Sequence, residues 1–243
     1  MPPNKHSPAL SSGSASVQDY VKVIYSFTEW QDEPISSSQL ANRLGVANSS
    51  VSEMVRKLVE LGLAIHEPYS AVELSEEGRR LALAMVRRHR LLETFLVQEL
   101  GYAWDEVHDE AELLEHTVSD TFIERLSAKL GYPGRDPHGD PIPDAHGVVD
   151  IPQAHQLAGL DAGHTGSITR ISDANPALLR FLSAEDIGLD DEVEVIGRKP
   201  FGGPLVVRVG KAGRDRELDL GDEAASALWV FSDKPHAGCA LAT

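Results

Sequence analysis

Apolar positions recur at helical spacing through the first part of the chain and at strand spacing near its end. Val17, Tyr20, Val21, Ile24 and Phe27 fall on one face of a predicted helix. "SSSQLANRLG" follows, with a serine to cap a helix and Gly45 to stop it. "NSSVSEMVRKLVELG" restarts a helix soon afterwards and ends at Gly62. "LAIHEPYSAVELS" predicts a short β-hairpin around a Pro68-Tyr69-Ser70 turn. Helix, helix, short turn, helix, hairpin is the order of a winged helix-turn-helix. Ser75 then caps a long helix, "EEGRRLALAMVRRHRLLETFLVQELG", and further helices are predicted over 107–118 and in "SDTFIERLSAKLG". Residues 131–160 are rich in Pro, Gly and His and predict a linker. His138, His146, His155 and His164, in or near it, are expected to face solvent. Beyond it, "GSITRIS", "DEVEVIG", "LVVRVG" and "ALWVF" alternate like the strands of a small barrel.

Composition narrows the function classes. The chain has 243 residues, and its hydrophobic fraction of 42% is ordinary for a water-soluble globular protein. No apolar run approaches the ~20 residues of a membrane span, and "MPPNKHSPALSSGSAS" lacks the apolar core of a signal peptide. The single cysteine, Cys239, excludes a disulfide framework and a cysteine-rich zinc site, so a cytoplasmic protein is expected. The net charge is −16, yet residues 1–90 hold ten basic and ten acidic groups and are neutral. The later residues carry the whole acidic excess, which repels DNA and attracts cations.

The third predicted helix suits DNA reading. With residue 51 at the origin of a helical wheel, Val51, Val55 and Leu58 fall within about 60° of each other. Ser49, Ser52, Glu53 and Arg56 lie opposite, and Ser50 stands with Ser49 at the helix start, where hydroxyls can meet a phosphate. Arg43, Lys57, Arg79 and Arg80 are candidate phosphate partners. A helical hairpin in any α-rich protein shares this spacing; the hairpin that follows favours the winged reading.

The helix "VHDEAELLEHTVSD" carries a second chemistry. With His108 at 0°, Glu112, Glu115 and His116 fall at about 40°, 340° and 80°. Beside that arc, Val107, Ala111, Leu114 and Val118 form a stripe that must pack inward. Carboxylates crowded at such an edge repel and lose solvation, and a divalent cation relieves both penalties. On the preceding helix His89 and Glu93 are spaced i, i+4 and could face the same site. Oxygen and imidazole ligands without sulfur suit Mn²⁺, Fe²⁺ or Zn²⁺. A solvated helix face is the plainer alternative for either pair taken singly.

Over roughly residues 17–235 the chain resembles the diphtheria-toxin-repressor family of metal-dependent transcriptional repressors. The matching pieces are "DYVKVIYSF", "SSSQLANRLGVANSSVSEMVRKL", "RRHRLLETFL", "VHDEAELLEHTVSD", "HGDPIP" and the C-terminal strands. The resemblance implies a mainly α chain with small β parts. A tail over 1–16 would precede a winged helix-turn-helix DNA-binding domain over 17–76. A helical metal-binding and dimerisation domain would span 77–142, a linker 143–163, an SH3-like β-barrel 164–233 and a tail 234–243. It implies a primary metal site of Asp19, Glu112, Glu115 and His116, and an ancillary site of His89, Glu93 and His108. Asp173 is the nearest match to a ligand from the SH3-like domain, while Pro176 stands where an amide ligand is expected. Iron-sensing relatives have methionine and cysteine where this chain has Asp19 and Glu112, so the acidic pair resembles the manganese-sensing branch. Short manganese regulators carry a glutamate ligand where this chain has Lys22.

The expected protein is therefore a homodimeric repressor that binds double-stranded promoter DNA when loaded with metal. The metal is Mn²⁺, with Fe²⁺, Co²⁺ or Zn²⁺ as alternatives, at about two ions per subunit. An Fe²⁺-responsive repressor, a metallohydrolase using the His/Glu cluster, and a regulator binding an organic ligand are the rival readings. The chain offers no HExxH motif for the hydrolase.

Overall fold

The computed structural model describes residues 14–231, apart from 32, 68–69 and 212–213. They group into two compact units. One holds the described parts of Met1–Leu92 with Glu112–Tyr132 and Ile142–Val149. The other holds Glu93–Ala111, Pro133–Pro141 and the described parts of Asp150–Thr243.

In the first unit, helices α1 (Ala15–Glu29), α2 (Ser37–Leu44) and α3 (Asn48–Glu60) precede strands β1 (Ala64–Ile65) and β2 (Glu73–Leu74), which pair antiparallel. Helix α4 (Glu76–Leu100) follows. Local chemistry sets these boundaries. Ser36 Oγ accepts from Gln39 N at 3.3 Å while Gln39 Oε1 accepts from Ser36 N at 2.9 Å, a reciprocal cap. Gly45, at φ 65°, ends α2 in a left-handed conformation that other residues adopt at a cost. Ser75 Oγ accepts from Gly78 N at 3.0 Å and donates to the Gly62 carbonyl at 2.6 Å, tying the start of α4 to the wing. Of the predicted wing turn, Pro68 and Tyr69 lie outside the described residues.

The apolar faces meet as their spacing predicts. Val17, Val21 and Ile24 of α1 pack with Leu40, Val51, Val55, Leu58, Val72 and Leu81, all at most 2% exposed. Each such side chain contributes about 1.5–3 kcal/mol of transfer free energy. Arg90 of α4 is buried and holds the Glu29 carboxylate of α1, with Nη1 2.9 Å from Oε1. Helix α5 (Val107–Glu115) stops three residues short of its predicted end, leaving His116 in a turn, and Ser119 caps α6 (Asp120–Lys129). The stop has a physical cause: Arg88 donates to the carbonyls of Glu115 (3.1 Å) and Val118 (2.7 Å), which replaces the missing helical partners.

The second unit contains a six-stranded antiparallel sheet in the order β3-β8-β4-β5-β6-β7. Its strands are β3 (Ala154–Gln156), β4 (Thr165–Ile171), β5 (Glu192–Arg198), β6 (Leu205–Lys211), β7 (Arg214–Leu220) and β8 (Leu228–Phe231). The four predicted strands are β4, β5, β6 and β8. β3 is too short to alternate, and "RDRELDL" of β7 hides its pattern under charge. Val193 and Val195 face the core opposite Val209 and Val207. Helices α7 (Pro176–Ala184) and α8 (Asp222–Ser226) complete the unit. Pro176 is the first residue of α7, and Asn175 Oδ1 accepts from Ala177 N at 3.0 Å as its cap.

Two expectations fail here. Residues 133–141 are folded, not a loose linker, and His138 and His164 are buried at 1% and 7% exposure. Asp136 Oδ1 accepts from the backbone N–H groups of His138 (2.8 Å) and Asp140 (2.9 Å), closing the loop on itself. The His138 carbonyl accepts from Ile171 N at 2.8 Å. Gly139, at φ 93°, lies so close to β4 that a Cβ would stand 2.0 Å from the Thr169 carbonyl. The proline and glycine content marks a close approach of backbones.

Gly78 marks a similar approach in the first unit, since a Cβ there would stand 1.9 Å from the Leu63 carbonyl oxygen. Gly78→Ala is expected to cost about 1–3 kcal/mol of stability in urea unfolding. Gly188→Ala, where a Cβ meets nothing within 4 Å, should stay within about 0.5 kcal/mol of wild type.

Candidate metal centre

Helices α1, α4 and α5 bring one acidic cluster together in the first unit. Asp19, Glu112, Glu115 and His116 each offer a ligand atom, all within 4.8 Å of one another. Asp19 comes from the second turn of α1, Glu112 and Glu115 from successive turns of α5, and His116 from the turn just past it. Glu115 is fully buried. Its Oε2 accepts from His89 Nδ1 at 2.7 Å, and its Oε1 from Lys22 Nζ at 2.6 Å. Burial pushes the Glu115 carboxyl up, but the His89 hydrogen bond and the Lys22 charge outweigh it and hold its pKa below the ordinary value. Asp19 goes the other way: burial raises its pKa, with the nearby His116 and Lys22 only partly opposing.

The imidazole of His116 is oriented from behind. Its Nδ1 donates to Gln18 Oε1 at 2.8 Å, which leaves the Nε2 lone pair facing forward in the neutral ring. That Nε2 lies 2.8 Å from Asp19 Oδ1, a buried oxygen to which no hydrogen bond is donated. A buried carboxylate oxygen left in this way, among two further carboxylates and an imidazole, fits a divalent metal. Oxygen and imidazole donors without sulfur make this a hard site.

A second cluster lies in the other unit. Glu93, Asp136 and His138 are all buried and offer ligand atoms within 4.8 Å of one another. His138 Nε2 donates to the Trp104 carbonyl at 2.7 Å, and the two rings stack at 5.9 Å. Its Nδ1 is buried and has no hydrogen-bond partner, so a lone pair is left available to a cation. Beside the cluster, His108 Nδ1 lies 3.2 Å from Asp173 Oδ2 and 3.4 Å from Glu93 Oε1. Burial opposes the His108 charge, but Asp173 and Glu93 raise its pKa to about 10. The same contact, working against burial, lowers Asp173 to about 2.

His108 lies beside Glu93 and Asp173, and His89, one helical turn before Glu93 on α4, also meets Glu115. Sequence reasoning missed Gln18, Asp136 and His138. The Asp-x-His spacing within "RDPHGD" was the available signal, obscured by the surrounding proline and glycine.

On α3, Ser49, Ser50, Ser52, Glu53, Arg56 and Lys57 are exposed while Val51, Val55 and Leu58 are buried. Arg56 meets Glu60 at 3.8 Å across an exposed pair that contributes little and leaves the guanidinium free to turn outward. Arg43 is exposed, its guanidinium 4.9 Å from the Phe27 ring centroid.

Three family models match the chain in succession. The iron dependent repressor N-terminal DNA binding domain covers residues 14–72, the iron dependent repressor metal binding and dimerisation domain 75–144, and the FeoA domain 155–231. The chain is 34% identical over 157 residues to the iron-dependent repressor IdeR of Mycobacterium tuberculosis, spanning 65% of this chain and 66% of that protein. It is 32% identical over 193 residues to the diphtheria toxin repressor of Corynebacterium efficiens, spanning 74% of this chain and 82% of that protein. Among solved structures it resembles a manganese-dependent transcriptional repressor in complex with manganese at 54% identity. The TM-score is 0.85, with 89% of this chain and 99% of that one covered. The manganese regulator SloR is 35% identical with a TM-score of 0.74, over 89% of this chain and 98% of that one.

The buried carboxylate makes a stability test possible. Glu115→Ala leaves the Lys22 ammonium buried without one of its two carboxylates and removes the His89 partner. With chelator present, urea unfolding is expected to show a loss of about 3 kcal/mol, whereas Glu53→Ala on the exposed face of α3 should change stability by less than about 0.5 kcal/mol.

Proposed function

The chain belongs to the diphtheria-toxin-repressor family of metal-dependent DNA-binding transcriptional repressors, and from that premise we propose that it acts as a homodimeric, Mn²⁺-responsive repressor of metal-ion homeostasis genes in the cytoplasm. One observation carries the reading. Asp19, on the first helix of the winged helix-turn-helix, shares a sulfur-free cluster with Glu112, Glu115 and His116 at the end of α5. The likeness to a repressor solved with manganese, at 54% identity, supports the choice of metal.

A bound dication supplies positive charge and a fixed coordination geometry. Asp19 then ties α1 to α5, and through the α1 core contacts it sets the placement of α3. Gln18 keeps His116 Nε2 turned to the centre, and His89 completes the shell of Glu115. In the dimer, this arrangement presents two recognition helices to major grooves about 34 Å apart. Ser49, Ser50, Ser52, Glu53 and Arg56 face the DNA from α3, with Lys57 and Arg43 on the phosphates. A second ion, giving about two per subunit, is assigned to Glu93, Asp136 and His138, with His108 and Asp173 alongside.

The acidic excess of the chain disfavours DNA, and loading the carboxylate clusters reduces that cost. Metal therefore acts by population shift, stabilising the DNA-competent arrangement more than the others.

In a gel-shift with promoter DNA, specific binding is expected with Mn²⁺ and should be lost with chelator. Arg56→Ala and Ser49→Ala should weaken operator binding by about 1–3 kcal/mol while Mn²⁺ binding persists. Equal operator affinity with and without metal would sink the reading.

Metal choice is tested separately. Affinity of such donors rises from Mn²⁺ toward Zn²⁺, so selectivity must come from coordination geometry. Mn²⁺ should activate the wild type best, and Zn²⁺, content with four ligands, should bind yet activate poorly. Asp19→Met with Glu112→Cys should move activation toward Fe²⁺ in anaerobic titrations that follow operator binding. If the wild type answers best to Fe²⁺ and the double substitution changes nothing, these two residues do not set selectivity.

A further inference from the structure

Lys22 sits within the centre. Its Nζ lies 2.5 Å from Glu112 Oε1 and 2.6 Å from Glu115 Oε1, and the residue is 7% exposed. Asp19 stands one turn earlier on the same face of α1 and meets His116 Nε2 at 2.8 Å. Helix α1 therefore offers a cation to the two glutamates of α5 and an anion to His116 just past its end.

We propose that Lys22 is a tethered competitor for the metal: its ammonium occupies the two glutamate oxygens in the metal-free protein and leaves them when a dication binds, so that Lys22 sets the metal concentration at which the repressor switches. The inference rests on the reading of Asp19, Glu112, Glu115 and His116 as the metal centre. Three observations support it.

The first is geometric. An ammonium and a metal bonded to the same carboxylate oxygens would lie within about 5 Å of each other, given metal–oxygen bonds of about 2 Å. Like charges that close, beside a fully buried carboxylate, repel strongly. The second is the burial of Glu115. A charged carboxylate with no solvent exposure needs partners inside the protein. Lys22 Nζ is within hydrogen-bond distance of both glutamates, with His89 as the second partner of Glu115. The third is an exit. The Asp19 and Glu112 side chains are each 34% exposed, so the rim of the cluster opens to water. A lysine on its flexible four-carbon stem can swing its head there while the stem stays packed.

The exchange also changes how α1 is held to α5. Lys22 meets Glu112 and Glu115 directly, while Asp19 and Gln18 meet His116 just past the helix. A dication would add a link from Asp19 to the two glutamates as Lys22 leaves them. A lysine at this position thus makes the metal-free form an ordered state with its own contact.

The test uses the full chain as its natural dimer and Mn²⁺ as the probe. Mn²⁺ binding is followed by the paramagnetic resonance signal of the free ion in wild type, Lys22→Gln and Lys22→Met. Both variants should bind Mn²⁺ about tenfold or more tightly than wild type, and both should unfold at lower urea in chelator. Equal or weaker binding in both variants overturns the proposal. A second readout needs no variant: amine labelling by reductive methylation, read by mass spectrometry. Lys22 should be protected in chelator and labelled at saturating Mn²⁺; continued protection at saturation overturns the proposal. Asp19→Asn and His116→Ala separate the two failures. If neither alters Mn²⁺ binding by the wild-type chain, the centre lies elsewhere and both readings fall. If both weaken it while Lys22 substitution does not tighten it, the centre stands and the competitor does not.

Discussion

A fully buried carboxylate organises the first unit. Glu115 has no exposed surface, so its charge must be met inside the protein. α1 meets it with Lys22, α4 with His89, and the turn after α5 places His116 Nε2 3.6 Å away. Its backbone carbonyl takes a hydrogen bond from Arg88, whose guanidinium also pairs with Asp120 at the start of α6. One charge thereby fixes where α5 ends and which turns of its neighbours face it. The winged helix-turn-helix begins on one of those neighbours, so the cluster and α3 share the core contacts of α1.

The second unit solves a related problem with different means. Its acidic cluster is built partly from a loop, and a loop holds buried ligands only if its own backbone is satisfied. Asp136 does this through the N–H groups of His138 and Asp140, while Asp140 in turn accepts from Arg170 Nε at 2.6 Å. Arg170 lies 4.1 Å over the Trp229 ring of β8. The small sheet therefore braces the loop that carries His138. Asp173, two residues past the end of β4, supplies the charge that meets His108.

The charge distribution joins these local facts to the behaviour of the whole chain. The first ninety residues are neutral while the acidic excess lies beyond them. The neutral part carries α3, and the acidic part carries the glutamates of the proposed metal centre. Under that proposal, metal uptake and DNA affinity are linked through electrostatics as well as through the placement of α3.

Periodicity alone located α1 to α4, α6 and most strands, because a face buried along its length imposes its repeat on the residues. Ser36, Gly45 and Ser75 marked boundaries through backbone hydrogen bonds that reach only a few residues. The i, i+3 and i, i+4 spacings placed Glu112, Glu115, His89 and Glu93 on helix faces for the same local reason. What those faces meet is not local. That Lys22 reaches Glu112 and Glu115, that Gln18 backs His116, that His89 turns to Glu115, and that "RDPHGD" folds inward were decided by contacts between residues far apart in the chain. Composition misled at that last stretch: proline and glycine serve a loose linker and a tightly packed loop equally well, and only the carbonyl of Thr169 against Gly139 tells the two apart.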